Sequence, residues 1–80
     1  MNPADKMWRT LVRVSGRSWT QRGVYLIIPG WNVDKNVFCP RQAIPPDIFN
    51  SMELYKRYHV GCNIGAEKAS DLCFDGWEAE

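Results

Sequence analysis

The sequence predicts a single domain of the α+β class, mainly β, and three observations indicate it. Most apolar segments either alternate with polar residues or have only the length of a strand. Proline and glycine separate these segments at short intervals. The chain has 80 residues, which is too short for a second domain or a large catalytic cleft. We therefore treat residues 1–80 as one domain, with flexible tails at 1–6 and 78–80.

The first half contains three predicted strands. Residues 8–15 alternate with the period of a half-buried strand that has a basic outer face. Residues 16–23 are polar and bounded by glycines, so we expect a loop, and the apolar residues 24–28 predict a central strand that pairs with the first as a hairpin. Turn residues at 34–36 lead to a short third strand at 37–39.

One short helix is predicted in the middle of the chain, after an extended segment at 42–44. Pro45 and Pro46 suit a first helical turn, and Asp47 is favourably placed against the helix dipole. The helix would carry an apolar stripe, which consists of Ile48, Met52 and Tyr55.

Two more strands complete the expected set. The alternation at 54–64 predicts the fourth strand, with the change from helix near residues 52–55, and the last strand covers 72–77. The connection at 65–70 has room for one helical turn at 66–69. The predicted core consists of Val12, Val14, Val24, Leu26, Ile28, Ile48, Val60, Ile64, Leu72 and Phe74.

These elements allow two architectures. A single layer of five strands and one helix leaves one sheet face uncovered unless the sheet curls. We therefore expect a partly open five-stranded barrel of the OB or SH3-like kind. A small antiparallel sheet with one helix packed across it is the second expectation.

Composition limits the class of protein. Hydrophobic residues make up 45% and charged residues 24% of the chain, which are values of a globular rather than a disordered protein. No apolar run approaches the roughly 18 residues of a membrane-spanning helix, and residues 1–6 lack the charged segment followed by an apolar stretch that marks a signal peptide. Three cysteines cannot form a complete set of disulfides, so we expect a soluble cytoplasmic protein without membrane association.

Charge is divided unevenly between the two halves. Residues 1–42 carry seven basic and two acidic side chains, whereas residues 43–80 carry three and seven, which gives formal charges of +5 and −4. An asymmetry of this size indicates contact steered by charge, although it does not identify the partner. The two halves could also meet each other in a homodimer.

A basic segment around one tryptophan is the first candidate interaction site. Arg13, Arg17 and Arg22 carry guanidinium groups that can fork onto phosphate or carboxylate oxygens. Trp19 offers a ring for stacking or for insertion into an apolar pocket, and Trp31 is a further candidate contact. The alternative is a solvated loop whose indole caps the barrel. The pI of about 7.7 is far below that of typical nucleic-acid-binding domains, which favours a protein partner over nucleic acid.

The acidic carboxyl end is the second candidate interaction site. Asp75 and Glu78 flank Trp77, so the indole could anchor in an apolar pocket of a partner while the carboxylates meet its basic rim. The alternative is a last strand in which Trp77 only covers the edge of the core.

Zinc binding and catalysis are weaker alternatives. The ligand types of a Cys3His site are present as Cys39, His59, Cys62 and Cys73. His59 and Cys62 have an odd separation, which aims them at opposite faces of a strand, so they could not share an ion without a bulge. No motif places His59 beside a nucleophile and an orienting carboxylate. We therefore expect no metal, no cofactor and no enzymatic activity.

These observations together predict a small non-enzymatic protein that acts by protein–protein interaction. Its size and its lack of catalytic motifs would suit an inhibitor or adaptor of a host complex, encoded by a virus or a mobile element. The alternative is an OB-like protein that binds single-stranded nucleic acid, and its contact residues would be Arg13, Arg17, Arg22, Trp19 and Trp31.

Overall fold

Five antiparallel strands and one short helix make up the fold. The computed structural model describes residues 8–18 and 22–80. Its strands are β1 (Trp8–Ser18), β2 (Gly23–Ile28), β3 (Lys35–Pro40), β4 (Arg57–Cys62) and β5 (Leu72–Ala79), and its helix is α1 (Pro46–Ser51). The strands lie in one sheet in the order β3-β2-β1-β4-β5, and all neighbours are antiparallel. The structure therefore confirms the predicted small, mainly β fold of the α+β class.

The sheet is open, and the segment before β5 contacts the other edge strand, β3. β1 is the central strand and pairs with β2 as the predicted hairpin. No ladder joins β3 to β5 in the described part of the chain, so these five strands do not close into a barrel. The 3-10 turn Ala69–Asp71, which precedes β5, nevertheless contacts β3, and its Ala69 packs on the core. The arrangement corresponds to a small antiparallel sheet with one helix.

One face of the sheet carries the core, and we call it the core face. Directly opposed residues of neighbouring strands share a face. The opposed pairs in the middle of the sheet are Val14 with Leu26, Leu26 with Val37, and Val12 with Tyr58. The connection from β3 to β4 adds Ile44 and Met52 to the core. The full set of buried core residues is Val12, Val14, Val24, Leu26, Ile28, Cys39, Ile44, Met52, Tyr58, Val60 and Phe74.

Most of the predicted core is confirmed. The buried members are Val12, Val14, Val24, Leu26, Ile28, Val60 and Phe74. Ile48 and Leu72 are partly buried and pack against them. The prediction was wrong for Ile64, whose side chain is 74% exposed. The cause is that β4 ends at Cys62, whereas the apolar alternation continues along the sequence beyond the strand.

A β-bulge at Ser15 changes which face of the sheet the following residues of β1 occupy. The pairing with β2 shifts by one residue at this point. After the bulge, Arg17 lies opposite Val24, on the core face. Without it, strand alternation would put Arg17 on the other face together with Arg13. β1 continues to Ser18, through residues that the sequence assigns to a loop, because residues 16–18 still pair with β2 beyond the bulge.

The segment before β4 contains the predicted helix but not its full stripe. α1 begins at Pro46, as expected, and ends at Ser51. Met52 is buried just beyond the helix, whereas Tyr55 is 65% exposed and has a positive φ of 67°. Residues 41–43 form a 3-10 turn instead of extending the chain.

The carboxyl end is more ordered than the sequence suggests. Glu78 and Ala79 belong to β5, where the sequence predicts a tail, and the Glu80 N–H donates to the Arg57 carbonyl at 3.1 Å. The single helical turn before β5 covers Ala69–Asp71 rather than 66–69. The tail predicted at 1–6 lies outside the described residues.

Candidate functional site

An open cleft of about 740 Å³ lies at the end of the sheet where β1 begins. Its walls are the β2–β3 loop, the β4–β5 loop and the first residues of β1, and we call it the end cleft. Six large hydrophobic side chains are exposed in the described part of the chain, and four of them line this cleft. These four are Trp8, Trp31, Val33 and Ile64. The exposed apolar surface of the protein is therefore concentrated at one place.

Trp31 is presented at the tip of a tight loop. Its side chain is fully exposed, at 101% of the reference area. The loop is tight because the backbone at Gly30 approaches the Val33 carbonyl so closely that a Cβ atom at position 30 would overlap it. The Gly30 N–H also donates to Asp34 Oδ1 at 3.3 Å. The residues around Trp31 thus hold the loop while leaving the indole without intramolecular cover.

A carboxylate organises the opposite wall of the end cleft. Asp71 Oδ2 accepts hydrogen bonds from the N–H groups of Glu67 (3.1 Å) and Lys68 (3.3 Å). The Glu67 N–H in particular, with the Lys68 N–H and ammonium group, holds the pKa of Asp71 below its usual value. The Asn63 N–H donates to the Asp71 carbonyl at 2.9 Å. These bonds fix the loop that carries Ile64.

The ionisable groups in the lining of the end cleft are Arg9, Lys35, Cys62 and Glu67. Cys62 is the thiol in its lining, and burial followed by the charge of Asp71 raises the pKa of Cys62, which disfavours the nucleophilic thiolate. Arg9 is engaged by Glu78 at 3.0 Å and by the Gly76 carbonyl at 3.1 Å. Lys35 also lines the cleft and is exposed. The lining thus combines exposed apolar side chains with charged groups of both signs.

The predicted basic segment is divided between the two faces of the sheet. Arg17 and Arg22 line a pocket of about 390 Å³ near the end of β1, together with Ser18, Arg41 and Phe49. Arg13 lies on the opposite face, where its guanidinium carbon is 5.9 Å from the centre of the Tyr55 ring. Trp19 lies outside the described residues. The structure thus brings Arg17 and Arg22 together and separates Arg13 from them.

Sequence reasoning missed Arg41 as a member of this basic group. Its position follows from the pairing of β2 with β3, in which Gly23 lies opposite Pro40. The next residue outward on each strand is then Arg22 or Arg41, and the Arg41 N–H donates to the Arg22 carbonyl at 2.8 Å. The signal that could have found Arg41 is therefore the register of two strands, not a local motif.

The acidic carboxyl end does not form one exposed group. Trp77 stacks on Tyr58 with ring centres 4.5 Å apart and packs against Phe74 at 5.7 Å. The Trp77 indole N–H is buried and has no hydrogen-bond partner among the described residues. Glu78 pairs with Arg9, and Asp75 is exposed. Trp77 packs on the core, so its role as an anchor for a partner remains a prediction.

The cysteines and the histidine are distributed over the sheet. His59 lies opposite Leu11 and Cys62 opposite Trp8, so the two side chains point to different faces of β4, as their spacing predicts. Cys39, Cys62 and Cys73 are all free thiols. Burial raises the pKa of Cys39 to about 11. Within residues 8–18 and 22–80, no group of three or more metal-ligating side chains converges.

No helix in the described residues is long and apolar enough to cross a membrane. The chain matches no protein-family model, and no curated protein or solved structure is similar to it at a level that would show a relationship. Its function must therefore be inferred from the geometry of its own surfaces.

Proposed function

We propose that this chain is a small non-enzymatic binding protein that acts by protein–protein interaction through the end cleft. The observation that supports the proposal is the convergence of Trp8, Trp31, Val33 and Ile64 on one open cleft. Contiguous exposed apolar surface is characteristic of interaction sites, and tryptophan is enriched among the residues that dominate binding energy. Trp31 is therefore the expected anchor.

The partner is a protein that offers apolar side chains flanked by carboxylates. Lys35 stands exposed at the end cleft and makes no ion pair within the described residues. Residues 1–42, which include Trp8, Trp31 and Val33, have a formal charge of +5, so an acidic partner would also be attracted to the protein from a distance. The three free cysteines support a reducing compartment, and we place the protein in the cytoplasm.

A small domain with this surface could act as a stoichiometric inhibitor or adaptor. It would occupy a partner instead of transforming it, because the end cleft offers exposed apolar side chains for contact and a thiol whose reactive form is disfavoured. A virus or a mobile element that targets a host complex would be a suitable source of such a protein.

Affinity capture from cell lysate with matched variants tests the proposal. Trp31→Ala removes the anchor, and Leu54→Ala is the control because Leu54 is an exposed apolar residue that does not line the end cleft. We expect a protein retained by the native chain and by Leu54→Ala but lost with Trp31→Ala. Measured with that purified protein, the loss should be about 2 kcal/mol or more, roughly thirtyfold in affinity.

Two controls separate this function from the alternatives. Nuclease treatment of the lysate should leave the captured protein in place, whereas loss of all bound material would favour the single-stranded nucleic-acid function. Light scattering after size exclusion should give a monomer. A dimer that dissociates with Trp31→Ala would instead identify the end cleft as a homodimer interface. Equal capture by both variants would exclude the end cleft as the binding surface.

A further inference from the structure

We propose that Arg17, Arg22 and Arg41 form a binding site for the phosphate group of a phosphorylated ligand. The site, which we call the arginine pocket, is a concave space of about 390 Å³ with Ser18 and Phe49 as its other lining residues. It lies at the end of β1 that is remote from the end cleft. The proposal is independent of the function proposed for that cleft.

The pocket is positioned by three separate structural devices. The bulge at Ser15 turns Arg17 to the core face, and Arg17 Nη1 then donates to the Met52 carbonyl at 2.9 Å. The β2–β3 pairing brings Arg22 and Arg41 side by side. Arg22 has a positive φ of 52°, a conformation that is uncommon outside glycine and asparagine. The convergence thus depends on tertiary structure and is not a run of charges in sequence.

An aromatic ring lies among these cations. The guanidinium carbon of Arg17 is 4.4 Å from the centre of the Phe49 ring, and that of Arg41 is 5.5 Å from it. Cation–π contact restrains the two planar groups without consuming their N–H donors. Within the described ranges, the hydrogen bond from Arg17 to the Met52 carbonyl is the one that these two guanidinium groups make, so most of their donors are left for a ligand.

No ion pair among residues 8–18 and 22–80 neutralises the positive charge of the pocket. The ion pairs in the described part of the chain are Arg9 with Glu78 and Arg57 with Glu80, and neither involves a pocket arginine. The described residues that line the pocket include no carboxylate. Three neighbouring cations repel each other, and a bound anion would relieve that repulsion.

The arrangement favours phosphate over single carboxylates. A carboxylate presents two oxygens in one plane and can occupy one guanidinium fork, whereas a terminal phosphate presents three oxygens and up to two negative charges. Three arginines that converge on one small concave space match the latter better. Arginine forks are suited to the planar, paired donation that phosphate accepts.

Titration with inorganic phosphate, followed by NMR, tests the site. Sodium chloride holds the ionic strength constant, so a saturable change in the Arg22 and Arg41 amide and guanidinium signals reports binding rather than screening. We expect Arg22→Ala and Arg41→Ala each to weaken phosphate binding about tenfold. Both variants should keep the fold, because both side chains are exposed. Arg41→Lys should recover only part of the loss, because lysine keeps the charge but not the fork.

The control variant is Arg13→Ala, since Arg13 belongs to the same strand but faces the other side of the sheet. It should bind phosphate as the native chain does. A mononucleotide and a short single-stranded oligonucleotide then identify the source of the phosphate. Binding of inorganic phosphate and of the mononucleotide supports the proposed site, and the ligand that binds more tightly identifies the source of the phosphate group.

Three results would overturn the proposal. The first is a phosphate response that disappears when ionic strength is held constant. The second is an equal loss with Arg13→Ala, which would mean a general positive potential instead of a defined pocket. The third is binding of the oligonucleotide without binding of either small ligand, which would favour an extended nucleic-acid surface. Unchanged melting temperatures of the variants ensure that none of these results reflects unfolding.

Discussion

Replacing Leu26 by alanine tests the assignment of the two sheet faces. Leu26 is fully buried and lies opposite Val14 on β1 and Val37 on β3. Because it is paired on both sides, the neighbouring strands cannot move in to fill a cavity at this position. Ile27, the next residue, is only partly buried and points to the opposite face. The two variants Leu26→Ala and Ile27→Ala therefore differ by one position in sequence and by the whole thickness of the sheet.

The magnitude follows from the burial. Leu26→Ala removes three carbon groups at about 0.8 kcal/mol each, and the cavity left between three strands adds about 1 kcal/mol, for a total of about 3 to 4 kcal/mol. Stability of about 4 to 12 kcal/mol is usual for a chain of this length. The variant should thus melt roughly 12 to 30 °C below the native chain. Ile27→Ala should cost about 1 kcal/mol or less, since part of its surface already faces water.

Urea unfolding, followed by circular dichroism and tryptophan fluorescence, measures both free energies. A large loss for Leu26→Ala with a small loss for Ile27→Ala agrees with a sheet that is covered on one face. Equal losses would refute the reasoning, because they would mean that the face of Ile27 is also buried in solution. A concentration-dependent loss for Ile27→Ala would further indicate that a second copy provides the cover.

Three further predictions concern the loops at Gly30 and Asp71 and the thiol of Cys39. Gly30→Ala should cost about 1 to 3 kcal/mol and weaken partner capture as Trp31→Ala does, because the added Cβ displaces the loop, and capture by this variant at the native level would contradict that account. The pKa of Asp71 is lowered in the folded chain, so the contribution of Asp71 to stability is complete above the ordinary carboxyl pKa and is lost as the pH falls through the lowered value. An NMR pH titration in which the Glu67 amide shift does not follow the titration of Asp71 would contradict this. Cys39, with its pKa raised to about 11, should resist iodoacetamide at pH 8 until the chain is unfolded, and rapid labelling of the native chain in peptide mass spectrometry would contradict this. Its contribution to stability should be lost as the pH rises from the ordinary thiol range through about 11.

Strand parity explains why much of the fold could be predicted. Side chains alternate between the faces of a strand, so the burial of Val12 and Val60 and the opposite directions of His59 and Cys62 follow from sequence spacing alone. Parity fails where a strand ends or gains a residue. Ile64 lies beyond the end of β4 and is therefore exposed despite continuing the alternation.

The candidate sites were harder to predict because they depend on pairing between distant segments. The end cleft exists because β1 lies between β2 and β4, which brings the loops after β2 and β4 to the same end of the sheet. Nothing local to Trp31 or Ile64 indicates that they are neighbours. The bulge at Ser15 is similarly invisible in the sequence, yet it decides which face Arg17 occupies.

The length of β1 sets the distance between the end cleft and the arginine pocket. Trp8 begins the strand beside the end cleft, and Arg17 lies near its other end in the arginine pocket. At about 3.3 Å per residue the two are at most about 30 Å apart, because the bulge at Ser15 bends the strand, and the long axis of the molecule is 38 Å. β1 is hydrogen-bonded to β4 along residues 8–13 and to β2 along residues 13–18, so its whole length is held in the sheet, unlike a flexible linker whose ends vary in separation. Two ligands held at its ends would therefore be kept at a fixed distance, and a partner with two matching features at that spacing would gain avidity that one with a different spacing would not.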